Sequence, residues 1–128
     1  VDSYKNEKAS GVTTYYYGRD DKKIHSVVGE RFANLMQREI CARTDLLNCR
    51  THAKSWDLLR LTVAPTVRVD LGYLSNPQDA KRLSDPAFRD QLAEAMIVAI
   101  QRLYLSAEDD AKTGTLRISD LRRAGIRN

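Results

Sequence analysis

Two cysteines, two histidines, three prolines and one tryptophan are spread through 128 residues, and each scarcity removes a class of protein. Cys41 and Cys49 stand eight apart, a spacing that fits neither a zinc ribbon nor a C-x-x-C redox motif. They read as reduced, partly buried thiols and not as a disulfide framework. His25 has no carboxylate or second histidine one helical turn away, so a surface or helix-capping role fits it better than metal ligation. No apolar run approaches the roughly 20 residues that a membrane span needs. The opening stretch VDSYKNEKASG is polar, without the apolar h-region of a signal peptide. No transmembrane segment is expected, and location is only weakly bounded, since an upstream signal directing export could have been removed.

Charge narrows the partners without choosing one. Lys and Arg number 21 against 17 Asp and Glu, a formal +4, which permits anionic partners. No basic stripe interleaved with aromatics is present to stack bases, so nucleic acid is not an expected partner. The apolar share of 42% beside 30% charged residues suits one ordinary packed domain.

What the chain does contain is a series of periodic segments. GVTTYYYG is β-branched and aromatic between glycines and predicts a strand, with its tyrosines on both sheet faces; RDDKK after it reads as a solvated loop. From Ser26, a plausible N-cap, Val28, Phe32, Leu35, Met36 and Ile40 recur at helical spacing, while Arg31, Gln37, Arg38 and Arg43 fall elsewhere. Cys49 to Trp56 reads as a loop and Leu58 to Thr62 as a short extended stretch. His52 and Trp56 are candidate cleft residues there, although an exposed imidazole and a partly buried indole are the simpler reading.

The stretch VRVDLGYLSNP, Val67 to Pro77, carries the chemistry. Val67, Val69 and Leu71 alternate with Thr66, Arg68 and Asp70, the pattern of a strand. Asn76, Pro77 and Asp79 then supply a cap, a first-turn proline and a first-turn acid. Asp85 and Pro86 repeat that grammar for a longer helix with Phe88, Leu92, Ala95, Met96, Ala99 and Leu103 on one face. Beyond Leu105 the apolar density drops into SAEDDAKTGTLRISDLRRAGIRN, a polar tail in which ISDLRRAG is a candidate short helix started by Ser119. The order of elements predicts an α/β sheet covered by helices with a parallel core. About three strands are visible where a whole sheet usually has five or six, which implies part of a larger domain.

GVTTYYYG together with LLRLTVAPTVRVDLGYLSNPQDAKRLSDPAFRDQLAEAMIVAIQRLY resembles the C-terminal half of the zinc-dependent N-acetylmuramoyl-L-alanine amidases of the amidase-3 type. The resemblance covers residues 11 to 105 and implies a three-layer α/β/α fold with a twisted, mostly parallel sheet. Residues 1–105 are then the C-terminal part of such a domain and 106–128 its polar tail. It also implies hydrolysis of the amide between muramic acid and the first alanine of the peptidoglycan stem, by a zinc ion on His, Glu and His. Those three ligands belong to the N-terminal half of the family domain, so this chain supplies none of them. His25 and His52 match none of their positions, and the missing N-terminal half is itself an expected partner of this piece.

Asp70 stands where the family carries its catalytic Glu. The shorter side chain withdraws the carboxylate by about 1 Å, a displacement that can cost about 100-fold in rate. Arg68 replaces an aliphatic residue and shares a strand face with Asp70, so the pair makes better sense as structure or as a polar binding site than as hydrolytic machinery. QREICARTDLLNCR, WDLLRLT, PTVRVDLGY and the TGT of the tail resemble the actinobacterial CwlM-type branch of pseudo-amidases. That resemblance implies a cytoplasmic regulator of peptidoglycan precursor synthesis, acting through the UDP-N-acetylglucosamine enolpyruvyl transferase and phosphorylated by a Ser/Thr protein kinase. Thr113 and Thr115 are then candidate phosphorylation sites, where a phosphate would add about −1.5 to −2 charge; without the resemblance, TGT reads as a linker. Two other readings stay open: an active zinc amidase with its ligands upstream of residue 1, exported to the wall, and a muropeptide binder using a cleft around Asp70, Asn76 and His52.

Overall fold

The structure is a computed structural model and describes residues 1, 5–19, 21, 23–61 and 63–105. The expectations for the tail, including Thr113, Thr115 and the helix at Ser119, lie outside the described residues. In chain order the elements are β1 (Val12–Arg19), β2 (Ile24–His25), α1 (Val27–Arg43), β3 (Asn48–Lys54), α2 (Asp57–Arg60), β4 (Arg68–Asp70), α3 (Pro77–Ser84) and α4 (Pro86–Leu103).

β1 organises the sheet because it is the strand to which the other three pair. Its longest ladder is parallel, to β3, with Thr14 opposite Thr51 and Tyr15 opposite His52. β4 joins it antiparallel with Thr13 opposite Asp70 and Tyr15 opposite Arg68, and β2 pairs antiparallel at Gly18 and Arg19. Since β3 and β4 both pair with the same stretch of β1, they occupy its two edges. The α/β fold with parallel pairing at its centre is therefore as expected. Among the described residues, one face of the sheet carries the long helices and the other is approached by the short α2.

Alternation along β1 decides what each face is made of. Val12 is fully buried in the core with Leu35, Met36, Ile40, Leu46, Phe88, Leu92, Ala95 and Ala99, and Val69 and Leu71 pack against this cluster. Thr14 faces the same way and donates from its hydroxyl to Gln37 Oε1 at 3.0 Å. Tyr15 turns to the opposite face, where its ring centroid is 4.9 Å from that of Trp56.

Several sequence expectations need correction. Cys49 to Trp56 is not a loop: β3 occupies Asn48–Lys54, with alternate residues half-buried. Its composition of small and polar residues carries little strand signal, and pairing with β1 overrides it. The expected extended stretch from Leu58 to Thr62 is not seen in its described part, because Asp57–Arg60 form one helical turn that buries Leu59. Gln37 does not point away from the core. It is buried, and its amide nitrogen donates to Val12 O at 2.7 Å and Asn48 Oδ1 at 2.8 Å, which satisfies the group there. Val28 lies outside the apolar stripe and is half exposed. His25 pairs with Glu30, Nε2 to Oε2 at 2.8 Å, a partner one turn into α1 that was not expected.

The helix signals, by contrast, hold in detail. Ser26 accepts from Gly29 N, Asn76 from Asp79 N and Asp85 from Ala87 N, each a side-chain oxygen satisfying an otherwise orphaned donor. At the far end of α4, Arg31 of α1 donates to the carbonyls of Leu103, Arg102 and Leu105. A cation there also complements the helix dipole. Between the two helices Glu39, 7% exposed, meets Arg102 at 3.0 Å and Arg43 one turn along.

Asp79 has a larger role than a first-turn acid. It is 1% exposed, and its Oδ2 accepts from Gly11 N at 3.0 Å and Tyr73 N at 3.1 Å while Oδ1 meets Arg82 at 3.2 Å. The start of β1, the turn after β4 and the first turn of α3 are thus held by one carboxylate. Gly72 makes room for it at φ +113°, since a Cβ there would lie 3.1 Å from Oδ2. Replacing Asp79 with alanine strands two backbone donors and is expected to cost about 3 kcal/mol. Urea denaturation checks this; Asp79→Asn, which retains one acceptor oxygen, should lose less.

A weaker effect comes from Asp45, whose carboxyl is held below its usual range by a hydrogen bond from Arg82. A depressed folded-state value means stability that is present above the unfolded pKa near 3.9 and is lost as pH falls through the folded value. Because Asp45 is 72% exposed, the contribution stays below about 1 kcal/mol. The stability difference between wild type and Asp45→Asn should be visible at pH 7 and shrink on acidification as the carboxyl titrates through its lowered folded-state value.

Candidate functional site

Asp70 ends β4 two residues before the Gly72 turn, so the clamp at Asp79 fixes where its side chain emerges. Its carboxylate is largely covered, at 13% exposure. Arg68 Nε donates to Oδ1 at 2.9 Å, and Nη2 lies 3.5 Å from Oδ2, a looser contact. The expected sharing of a strand face is thus realised as an ion pair.

The guanidinium also has a second neighbour. It lies over the Trp56 ring, 5.1 Å from the centroid, and Lys54 Nζ is 5.8 Å from the same centroid, distances at which a cation is attracted to the ring face. Tyr15 packs beside Trp56 and stands 6.2 Å, centroid to centroid, from His52. On one sheet face, β3 contributes His52 and Lys54, the N-cap position of α2 contributes Trp56, β1 contributes Tyr15, and β4 contributes Arg68 and Asp70. Tyr15 and Lys54 were missed from sequence; the pairing of β3 with β1, invisible in composition, is what brings them in.

The other candidate positions are engaged elsewhere. The oxygen of the Asn76 side chain caps α3 through Asp79 N at 3.0 Å, and its nitrogen donates to Glu7 O at 2.8 Å. His52 is exposed, with Nε2 3.0 Å from Cys49 O. Cys41 and Cys49 are free thiols, Cys41 pushed up in pKa by burial and secondarily by the neighbouring Cys49. Among the described residues no three His, Cys, Asp or Glu side chains come together where they could hold a metal ion. The described side chains therefore do not fit the zinc that the resemblance implies. No helix among the described residues is long and apolar enough to cross a membrane.

Residues 1–102 match the Amidase_3 family, N-acetylmuramoyl-L-alanine amidase. The chain belongs to that family. It is 43% identical over 113 residues to the N-acetylmuramoyl-L-alanine amidase CwlM of Mycobacterium tuberculosis, covering 88% of this chain and 28% of that protein. It is 27% identical to the probable cell wall amidase LytH of Staphylococcus aureus over 83% of this chain and 33% of the other. Among solved structures, the amidase AmiC2 of Nostoc punctiforme superposes with a TM-score of 0.67 at 25% identity, over 78% of this chain and 52% of that one. The chain thus spans about a third or less of these curated relatives and about half of the solved amidase. It is a peptidoglycan-amidase-like protein of α/β fold.

Trp56 is the single tryptophan, so its fluorescence reports on this cluster. Arg68→Leu removes the cation over the indole and leaves the covered Asp70 carboxylate without its partner. A changed emission maximum together with a stability loss of about 1–2 kcal/mol in urea is expected.

Proposed function

We propose that this protein is an amidase-like regulator that no longer hydrolyses peptidoglycan and works through protein partners in the control of peptidoglycan precursor synthesis. The observation carrying the proposal is the Arg68–Asp70 ion pair at 2.9 Å. The carboxylate at the position of the family's catalytic Glu is one methylene short and is engaged by a guanidinium that itself sits against Trp56. A general base must instead be free to reach the proton it takes.

Similarity to CwlM supports the reading further, since that branch is the one the degraded motif resembles. The partners proposed on that basis are the UDP-N-acetylglucosamine enolpyruvyl transferase and a Ser/Thr kinase acting at Thr113 and Thr115, in the cytoplasm. The alternative is an active zinc amidase, favoured by family membership and by relatives that carry amidase names. Its metal ligands would lie outside the 128 residues, and Asp70 would assist them.

The full-length protein distinguishes the two. Metal analysis and incubation with purified peptidoglycan are expected to give no release of stem peptides, while the transferase is retained on the immobilised protein. Stoichiometric zinc accompanied by released stem peptides overturns the regulatory reading. Phosphoproteomics under kinase overexpression is expected to find Thr113 or Thr115 occupied; no occupancy at either removes that part.

A further inference from the structure

On the helix-covered side of the sheet, at the edge of β1 opposite β4, a groove of about 490 Å³ runs between α1 and β3. It is separate from the Asp70 cluster, which faces the other way. Asn34, Gln37, Arg38, Asn48, Arg50 and Thr51 line it, and no carboxylate does.

Its amides have been sorted so that their oxygens are used internally. Asn48 Oδ1 accepts from Arg50 N at 2.9 Å and from Gln37 Nε2 at 2.8 Å, which fixes the amide orientation because a backbone N–H can only donate. Asn34 Oδ1 accepts from the Thr51 hydroxyl at 3.0 Å. The Nδ2 groups of Asn34 and Asn48 have no partner among the described residues, and Arg50 has no ion pair there. Arg38 adds a second guanidinium to the lining, 3.6 Å from Glu39 Oε1.

Arg50 also sits at φ +68°, a left-handed conformation that costs a non-glycine residue about 1 kcal/mol and persists where the surroundings impose it. It falls where the register of β3 against β1 shifts, between Asn48 and Thr51. A wall that offers amide and guanidinium donors while its acceptors are occupied selects an anion rich in acceptor oxygens. With no aromatic ring to stack a base, and amides suited to hydroxyl groups, a nucleotide base has no place there.

We propose that this groove binds a phosphoryl group, carried by a sugar phosphate or by a phosphorylated side chain. The volume lies in the range of small-molecule sites, about 300–1,000 Å³, and exceeds what inorganic phosphate alone fills.

Calorimetric titration of the full-length protein with glucose 6-phosphate, a phosphothreonine peptide, inorganic phosphate and unphosphorylated glucose tests this. Two variants preserve the local backbone. Arg50→Gly removes the guanidinium at a position whose φ glycine tolerates, and Asn48→Asp keeps the internal acceptor while turning the outward donor into an anion. The expected result is saturable, salt-sensitive binding of a phosphorylated probe and not of glucose, weakened about tenfold or more by each variant. Urea midpoints close to wild type establish that both variants are folded. Tighter binding of the sugar phosphate identifies a small-molecule ligand, and tighter binding of the peptide a phosphorylated protein segment. No binding of either probe at millimolar concentration, or affinities unchanged in both variants, overturns the proposal.

Discussion

One buried carboxylate holds together the parts of this molecule that its site depends on. Asp79 accepts from the backbone at Gly11 and Tyr73, residues that respectively open β1 and follow β4, and it starts α3. An ionised acceptor with its lone pairs filled by backbone donors is among the stronger hydrogen-bonding arrangements in a protein. Because Asp70 lies just upstream of the Gly72–Tyr73 turn, the same contact sets the end of β4 against Thr13 and thereby the position of the Arg68–Asp70 pair. Arg82 extends the arrangement outward, pairing with Asp79 on one side and Asp45 on the other.

The two faces of the sheet obey different rules as a result. Toward α1 and α4 the packing is apolar, interrupted by Gln37, whose hydrogen bonds to Val12, Thr14 and Asn48 are all satisfied. Away from them the face is aromatic and cationic, with Tyr15 and Trp56 half-buried or exposed, and Lys54 and Arg68 against the indole. Arg68 places a cation between the covered Asp70 carboxylate and the indole, and it is on this pairing that the proposed recognition role rests. Family membership fixes the scaffold; the side chains on this face carry the argument about what the scaffold does.

Much of this was legible in the sequence where local rules are strong. Caps at Ser26, Asn76 and Asp85 and the stripe of α4 follow from side-chain oxygens placed before periodic apolar residues. VTTYYYGR declares itself by β-branching, and the two-residue offset of Arg68 and Asp70 foretold their pairing. What was not legible depends on tertiary contacts. β3 is strand only because β1 lies beside it, and Gln37 is buried only because Val12 and Asn48 stand ready to bond it. The reach of Asp79 across 68 residues to Gly11 has no local signature beyond Gly72, which leaves the carboxylate its space.

The central position of β1 has a consequence for biosynthesis. It precedes both of its long-range partners, so a chain growing from its N-terminus presents VTTYYYGR before β3 and β4 have been made. Until then a β-branched, tyrosine-rich segment without charge before Arg19 lacks the two strands that pair with it along Thr13–Tyr15. The strand that later unites these pairings therefore waits for its partners during synthesis, and slowed translation beyond Arg43 would lengthen that wait.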